Sequence, residues 1–270
     1  MAKLAKATGL SPVGRQPIVG SNPTSDTEFN ATVKQYLTVG RANMKFEWEY
    51  ITSFREMGEI YLVDRNVIYI AVDDPVIIGP LITRLSEFQE SPEFAGKYFT
   101  LDEYKDWYTK QSGNEEFTYA TDWCGWNVSS DTIDKFYKLF DDGKSGRFLN
   151  TVEMLLRDVL LWFQANYDLP KYYLIVTMGD SIKKAIENGG KIDGLFKHEF
   201  KHAQFFLDDE YRDIVLAEWK RNRSAANLDT MVGGLGYNTN DPMLVIDESN
   251  AYHGSSKANE YFANKYLMKI

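Results

Sequence analysis

Cysteine is almost absent: Cys124 is alone in 270 residues, so no disulfide can close within the chain. A reducing compartment, or a fold that needs no staple, is the expectation from that count. Histidine is nearly as scarce, at three residues, which makes the position of each one informative. Cationic charge is also short. Lys and Arg total 30 against 39 Asp and Glu, a formal net charge of -9, whereas a phosphate backbone calls for basic residues in excess. Nucleic acid is therefore not an expected partner. No apolar run approaches the roughly 20 residues of a membrane-spanning helix. The opening Met-Ala-Lys-Leu-Ala-Lys-Ala-Thr-Gly-Leu also lacks the apolar segment of a secretory signal. The expectation is a soluble, cytoplasmic chain without a membrane partner; export that uses no cleavable signal is equally compatible.

Aromatic residues are plentiful, with 16 Phe, 17 Tyr and 6 Trp in a chain that is 44% hydrophobic, enough for a sizeable core. Residues 1–30, rich in Gly, Pro, Ser, Thr and Asn and without an apolar period, read as a flexible arm. Met44, Phe46, Trp48 and Tyr50 alternate with charged residues, which predicts a strand. Residues 59–63 and 67–72 are predicted to pair as a hairpin across Asp64-Arg65-Asn66, with a further short extended run at 76–78. From about residue 80 the pattern turns helical. Thr100 and Glu103 form a capping box; helices are predicted over 131–140 and over 151–166, the latter with Val152, Leu155, Leu156, Val159 and Phe163 on one face. Pro170 stops that helix, 172–177 reads as a strand, and Asp180 can cap a helix ending at Asn188-Gly189-Gly190. The order of elements predicts an α+β fold, with an antiparallel or mixed sheet in the N-terminal part and a mainly helical C-terminal part. A boundary near residue 165 would separate 31–165 from 166–270, unless the two run on as one continuous domain.

The chemistry concentrates in His198-Glu199-Phe200-Lys201-His202. Histidines four apart on a helix lie on one face about one turn apart, where two ring nitrogens can reach one metal ion. The intervening Glu199 can reach a water at such an ion without being a ligand. Asp193 is placed to cap the helix, and Phe196, Phe200, Ala203 and Leu207 form an apolar stripe that would anchor it. The motif resembles the signature of the zincin superfamily of zinc metallopeptidases, His-Glu-x-x-His. The resemblance implies a catalytic zinc bound by His198 and His202, Glu199 as general base, and a peptide or protein as substrate.

A catalytic zinc takes a third protein ligand and keeps one position open. Three residues compete for that role. Glu248 stands 46 residues beyond His202, behind a predicted strand at 243–246 and with Asp247 as the expected cap of a new helix. This looks like the gluzincin arrangement, in which a second helix brings a glutamate to the metal, and the small Ala251 would let two helices approach. Asp208 holds the third-ligand place of the metzincin pattern, but Phe205 stands where that pattern has the glycine that turns the chain. His253 is the last histidine. The favoured set is His198, His202 and Glu248. His253 and Tyr252 are the preferred candidates for donating to a developing oxyanion, with Tyr211 as competitor.

Weaker signals surround this one. Asp141 to Phe148 has an EF-hand look, but Gly143 and Val152 stand where ligands are needed, so an inter-helix turn is expected. Cys124 in a latency role is outweighed by simple packing. Gly233-Gly234-Leu235-Gly236 lacks the context of a phosphate loop and reads as a mobile loop at the rim of the cleft. Two other functional classes share the motif: a binding or structural protein that kept the site without turnover, and a non-peptidase enzyme using two histidines and a carboxylate for iron(II). Glu199 favours hydrolysis, because an iron oxygenase needs no such base.

Overall fold

Period-two alternation in four strands decides how this chain is layered. The computed structural model describes residues 58–64, 66–141, 146–181, 183–184, 194–222 and 228–267. The expected arm, the strand around Met44 to Tyr50, Asp193 as a cap, the end of the helix after Asp180 and the centre of the 141–148 turn lie outside the described residues. Strands β1 (Gly58–Val63) and β2 (Val67–Val72) form the expected antiparallel hairpin, with Val63 opposite Val67. Helices α1 (Pro75–Glu90), α2 (Leu101–Ser112) and α3 (Tyr119–Asp122) follow, then β3 (Gly125–Ser129), α4 (Ser130–Asp141), α5 (Thr151–Tyr167) and β4 (Tyr173–Met178). The remainder is helical: α6 (Gly194–Leu207), α7 (Asp209–Asn222), α8 (Leu228–Gly234), α9 (Pro242–Tyr252), α10 (Ser256–Phe262) and a π-helical turn over Ala263–Leu267.

The fold is α+β around one mixed sheet of order β1-β2-β4-β3, in which β2 and β4 are parallel and the outer pairs antiparallel. Strand β4 comes from beyond residue 165 yet lies between β2 and β3, so the regions 31–165 and 166–270 share a single sheet. Ile68, Ile70, Val72, Trp126, Val128, Leu174 and Val176 point to one face, where they pack with residues of α1, α2, α4 and α5. Val67, Tyr69, Ala71, Tyr173 and Ile175 point to the other, under Phe196, Phe200 and Ala203 of α6 and Phe262 of α10. The predicted stripe on the motif helix is thus the face that meets the sheet.

Local signals account for most boundaries. The capping box of α2 forms between Thr100 and Glu103, and α5 opens with a second one between Asn150 and Glu153. Two apolar runs expected to be extended are helical, and both for one reason. Asp74 accepts from Val76 N with Pro75 in the first turn of α1, so 76–78 belongs to that helix. Asp241 accepts from Met243 N and Leu244 N with Pro242 in the first turn of α9, so 243–246 is helix and Asp247 is no cap. In each, an N-cap Asp satisfies free amides and proline sets φ for the first helical residue. The glycine run is also partly helical, with Gly233 and Gly234 closing α8, where a mobile loop was expected. Cys124 is exposed, not packed. Among the described residues no helix is long and apolar enough to cross a membrane.

Candidate metal centre

Helix α6 lies against the sheet through Phe196, Phe200 and Ala203, which fixes the direction of its other faces. His198 and His202, one turn apart, then face α9, and their Nε2 atoms are 3.2 Å apart. Glu248 reaches them from the second turn of α9, with Oε1 3.7 Å from His202 Nε2. One donor atom from each of His198, His202 and Glu248 lies within 4.8 Å of the others. Ligands about 2.0–2.1 Å from a tetrahedral ion sit roughly 3.3 Å apart, so the three donors could hold one ion after drawing together slightly.

The surroundings suit a cation. Asp247 Oδ2 stands 3.0 Å from His202 Nδ1, and the Ala251 backbone lies close enough to the His198 ring to favour its protonated form. Asp247 is within reach of His202 Nδ1, although no hydrogen bond is formed there, and an acceptor at that atom would orient the ring and leave Nε2 for a metal. Glu248 Oε2 and Asp247 Oδ1 are buried without a hydrogen-bond partner among the described residues, a costly state for carboxylates that lack a cation. Burial raises Glu199 and Asp247 above the ordinary carboxylate range and pushes Glu248 up to about 8. Burial also drives His198 well below its usual value, with the neighbouring His202 and Lys201 charges adding to the effect. For His202 burial acts in the same direction, but the Asp247 and Glu248 carboxylates outweigh it and hold the ring up to about 10. Two imidazoles among three buried carboxylates make a pocket that a divalent cation would neutralise.

Glu199, 4% exposed, turns away from α9 toward β3, where Asn127 Nδ2 donates to its Oε2 at 2.9 Å. Tyr252 lays its ring edge-on to His198, centroids 4.5 Å apart, and is 40% exposed, so it borders both the histidine pair and solvent. Burial and the Glu248 charge raise its hydroxyl above the ordinary tyrosine value. His253, at the end of α9, turns elsewhere: its Nε2 lies 3.1 Å from Met231 Sδ, and it is not in the three-ligand group. Tyr211 is fully buried against Asn250. Asp208 follows the last turn of α6 and takes Lys265 Nζ at 2.9 Å, together with the Tyr261 and Tyr266 hydroxyls. The helix runs on past Phe205, as expected without a glycine there, and carries Asp208 to another face.

Four residues near the centre gave no signal in the sequence reading. Asp247 was read as a cap, and Asn127 sits on a strand that was missed. The Tyr237 hydroxyl is near enough to Glu248 and Tyr252 to favour the ionised form of each. Glu90, the last residue of α1, is close enough to feel the charges of Glu248, His202 and Glu199; burial first, then Glu248, raises it well above its usual range. No protein-family model, curated protein or solved structure matches this chain.

Proposed function

We propose that this chain is a zinc-dependent hydrolase acting on peptide bonds, in keeping with the resemblance of His198-Glu199-Phe200-Lys201-His202 to the zincin signature. The observation that carries the reading is the approach of Glu248 to the two motif histidines across 46 residues of sequence, with Oε1 3.7 Å from His202 Nε2. Zinc held by His198, His202 and Glu248 would supply a Lewis acid for the scissile carbonyl and a water more acidic than bulk. Glu199 accepts the proton of the attacking water and hands it to the departing amine nitrogen. Its burial supports that role, since a carboxylate with a raised pKa is a better base near neutral pH. The Tyr252 hydroxyl, kept protonated by its surroundings, donates to the carbonyl oxygen as negative charge develops there. Its ring contact with His198 favours Tyr252 over His253, whose ring meets Met231.

The test is metal content and turnover on one preparation. Purified protein is expected to hold about one zinc per chain and to cleave fluorescein-labelled casein. Glu199→Gln is expected to keep the zinc and lose at least about a hundredfold in rate, the lower end of what a general base contributes. Stoichiometric iron in place of zinc, or full activity in Glu199→Gln, overturns the reading.

A further inference from the structure

Of His198, Glu199 and His202, Glu199 alone turns to the sheet and not to α9, and three features of the sheet fit its carboxylate. Asn127 donates to Oε2 at 2.9 Å. The Tyr173 hydroxyl, on the neighbouring β4, donates to Asn127 Oδ1, so the acceptor end of the amide is taken and its donor end faces Glu199. Gly125 lies two residues earlier on the same face of β3, opposite Thr177 as Asn127 is opposite Ile175. A Cβ at Gly125 would come within 2.4 Å of Glu199 Oε1 and 3.0 Å of its Cδ. Asn127, Tyr173 and Glu199 are all buried.

We infer that Gly125, Asn127 and Tyr173 form a built seat for the Glu199 carboxylate, in which Asn127 is the residue that positions the general base. The inference rests on the hydrolase reading above. An unrestrained glutamate carries up to about 2 kcal/mol of rotamer freedom, and misplacing a reacting group by about 1 Å can cost on the order of a hundredfold in rate. A buried Lys or Arg would also fix the carboxylate, but its charge would make Glu199 a poor base. A neutral amide orients the group without placing a charge beside it. With Oε2 engaged by Asn127, Oε1 is the atom that takes the proton. Gly125 supplies the room in which Oε1 sits, and a side chain there would meet the carboxylate first and the Leu195 side chain next.

Zinc-loaded parent, Asn127→Ala, Asn127→Asp, Gly125→Ala, Glu199→Gln and the Asn127→Ala/Glu199→Gln double variant are compared on fluorescein-labelled casein, with zinc content measured on each. Asn127→Asp keeps size and the acceptor for Tyr173 but sets a second carboxyl against Glu199, so that the two compete for one proton. Expected is a fall of about 10- to 100-fold in kcat for both Asn127 variants and for Gly125→Ala, with KM and zinc content unchanged. Asn127→Ala is expected to add nothing in the Glu199→Gln background, because it acts through that residue. An equal further loss in that background, or full activity in Asn127→Asp, overturns the inference. A parent that holds zinc and leaves casein intact sinks the hydrolase reading instead. Crystal structures of parent and Asn127→Ala then decide the seat: a Glu199 carboxylate that leaves β3 in the variant supports it, and one that stays overturns it.

Discussion

Asp247 Oδ2 stands 3.0 Å from His202 Nδ1, and the next residue, Glu248, reaches the opposite nitrogen of the same ring. One turn of α9 thus addresses both sides of one imidazole. A carboxylate behind a ligating histidine fixes its tautomer and raises its basicity, and its loss typically costs 10- to 100-fold in metal affinity. Asp247→Asn is expected to weaken zinc binding by about that range, read by competition with a chromophoric chelator. Unchanged affinity would mean that packing of α6 alone orients the ring.

Third-ligand candidates separate cleanly. Glu248→Ala is expected to remove most of the bound zinc, as are His198→Ala and His202→Ala. Asp208→Ala is expected to keep it and to lose stability by about 1–3 kcal/mol, because it strands the Lys265 ammonium and the Tyr261 and Tyr266 hydroxyls. Zinc content and thermal midpoint on each variant check both. Zinc lost from Asp208→Ala and kept by Glu248→Ala would reverse the assignment.

What the sequence made legible follows from range. The motif helix, the hairpin around Asp64 and the box at Thr100 are set by residues within about five positions of one another, and all three form. The runs at 76–78 and 243–246 were misread because a short apolar stretch fits a buried helix as well as a strand. The Asp-Pro pair before each was the deciding signal. Strand β3 was missed although Trp126 and Val128 alternate with Gly125, Asn127 and Ser129, since five residues after a helix offer little contrast. Asn127 meets Glu199 across 72 positions, and Tyr237 reaches Glu248 through a turn. Such contacts exist only once the sheet and α6 are packed, so no local pattern announces them.

Away from the metal centre, Arg84 ties the helical layer together. Its Nε donates to Glu153 Oε1 at 2.7 Å, Nη2 bonds the second carboxylate oxygen, and the carbonyls of Phe99 and Phe148 accept from Nη1 and Nη2. The guanidinium also lies over the rings of Phe136 and Phe140. Arg84→Met leaves the Glu153 charge buried without its cation, and is expected to cost about 3–5 kcal/mol. Arg84→Met with Glu153→Leu is expected to cost less than the sum of the single changes, read from denaturant unfolding. Additive losses would show that the two residues do not act as a pair.

Glu87 gives the fold a pH dependence separate from the metal ligands. It is buried on α1, and burial pushes its carboxyl up to about 7, against smaller opposing effects of the Tyr104 and Tyr119 hydroxyls. A folded-state pKa above the unfolded value of about 4.5 means the native state holds this proton more tightly. Its contribution to stability is therefore complete below about pH 4.5 and is lost as pH rises toward 7. Glu87→Gln mimics the protonated form at every pH. Parent and variant are expected to unfold alike near pH 4 and to diverge above it, with the variant more stable by up to roughly 3 kcal/mol at pH 8. Taking the difference between the two proteins cancels the titration of Glu199 and Asp247, and what it reads is Glu87 together with Glu90, whose carboxyl the Glu87 charge also raises. Denaturant midpoints for zinc-loaded protein across pH 4–8 provide the measurement. A gap that is constant with pH would mean that Glu87 is ionised in the folded protein, or that glutamine cannot replace it against the two tyrosines.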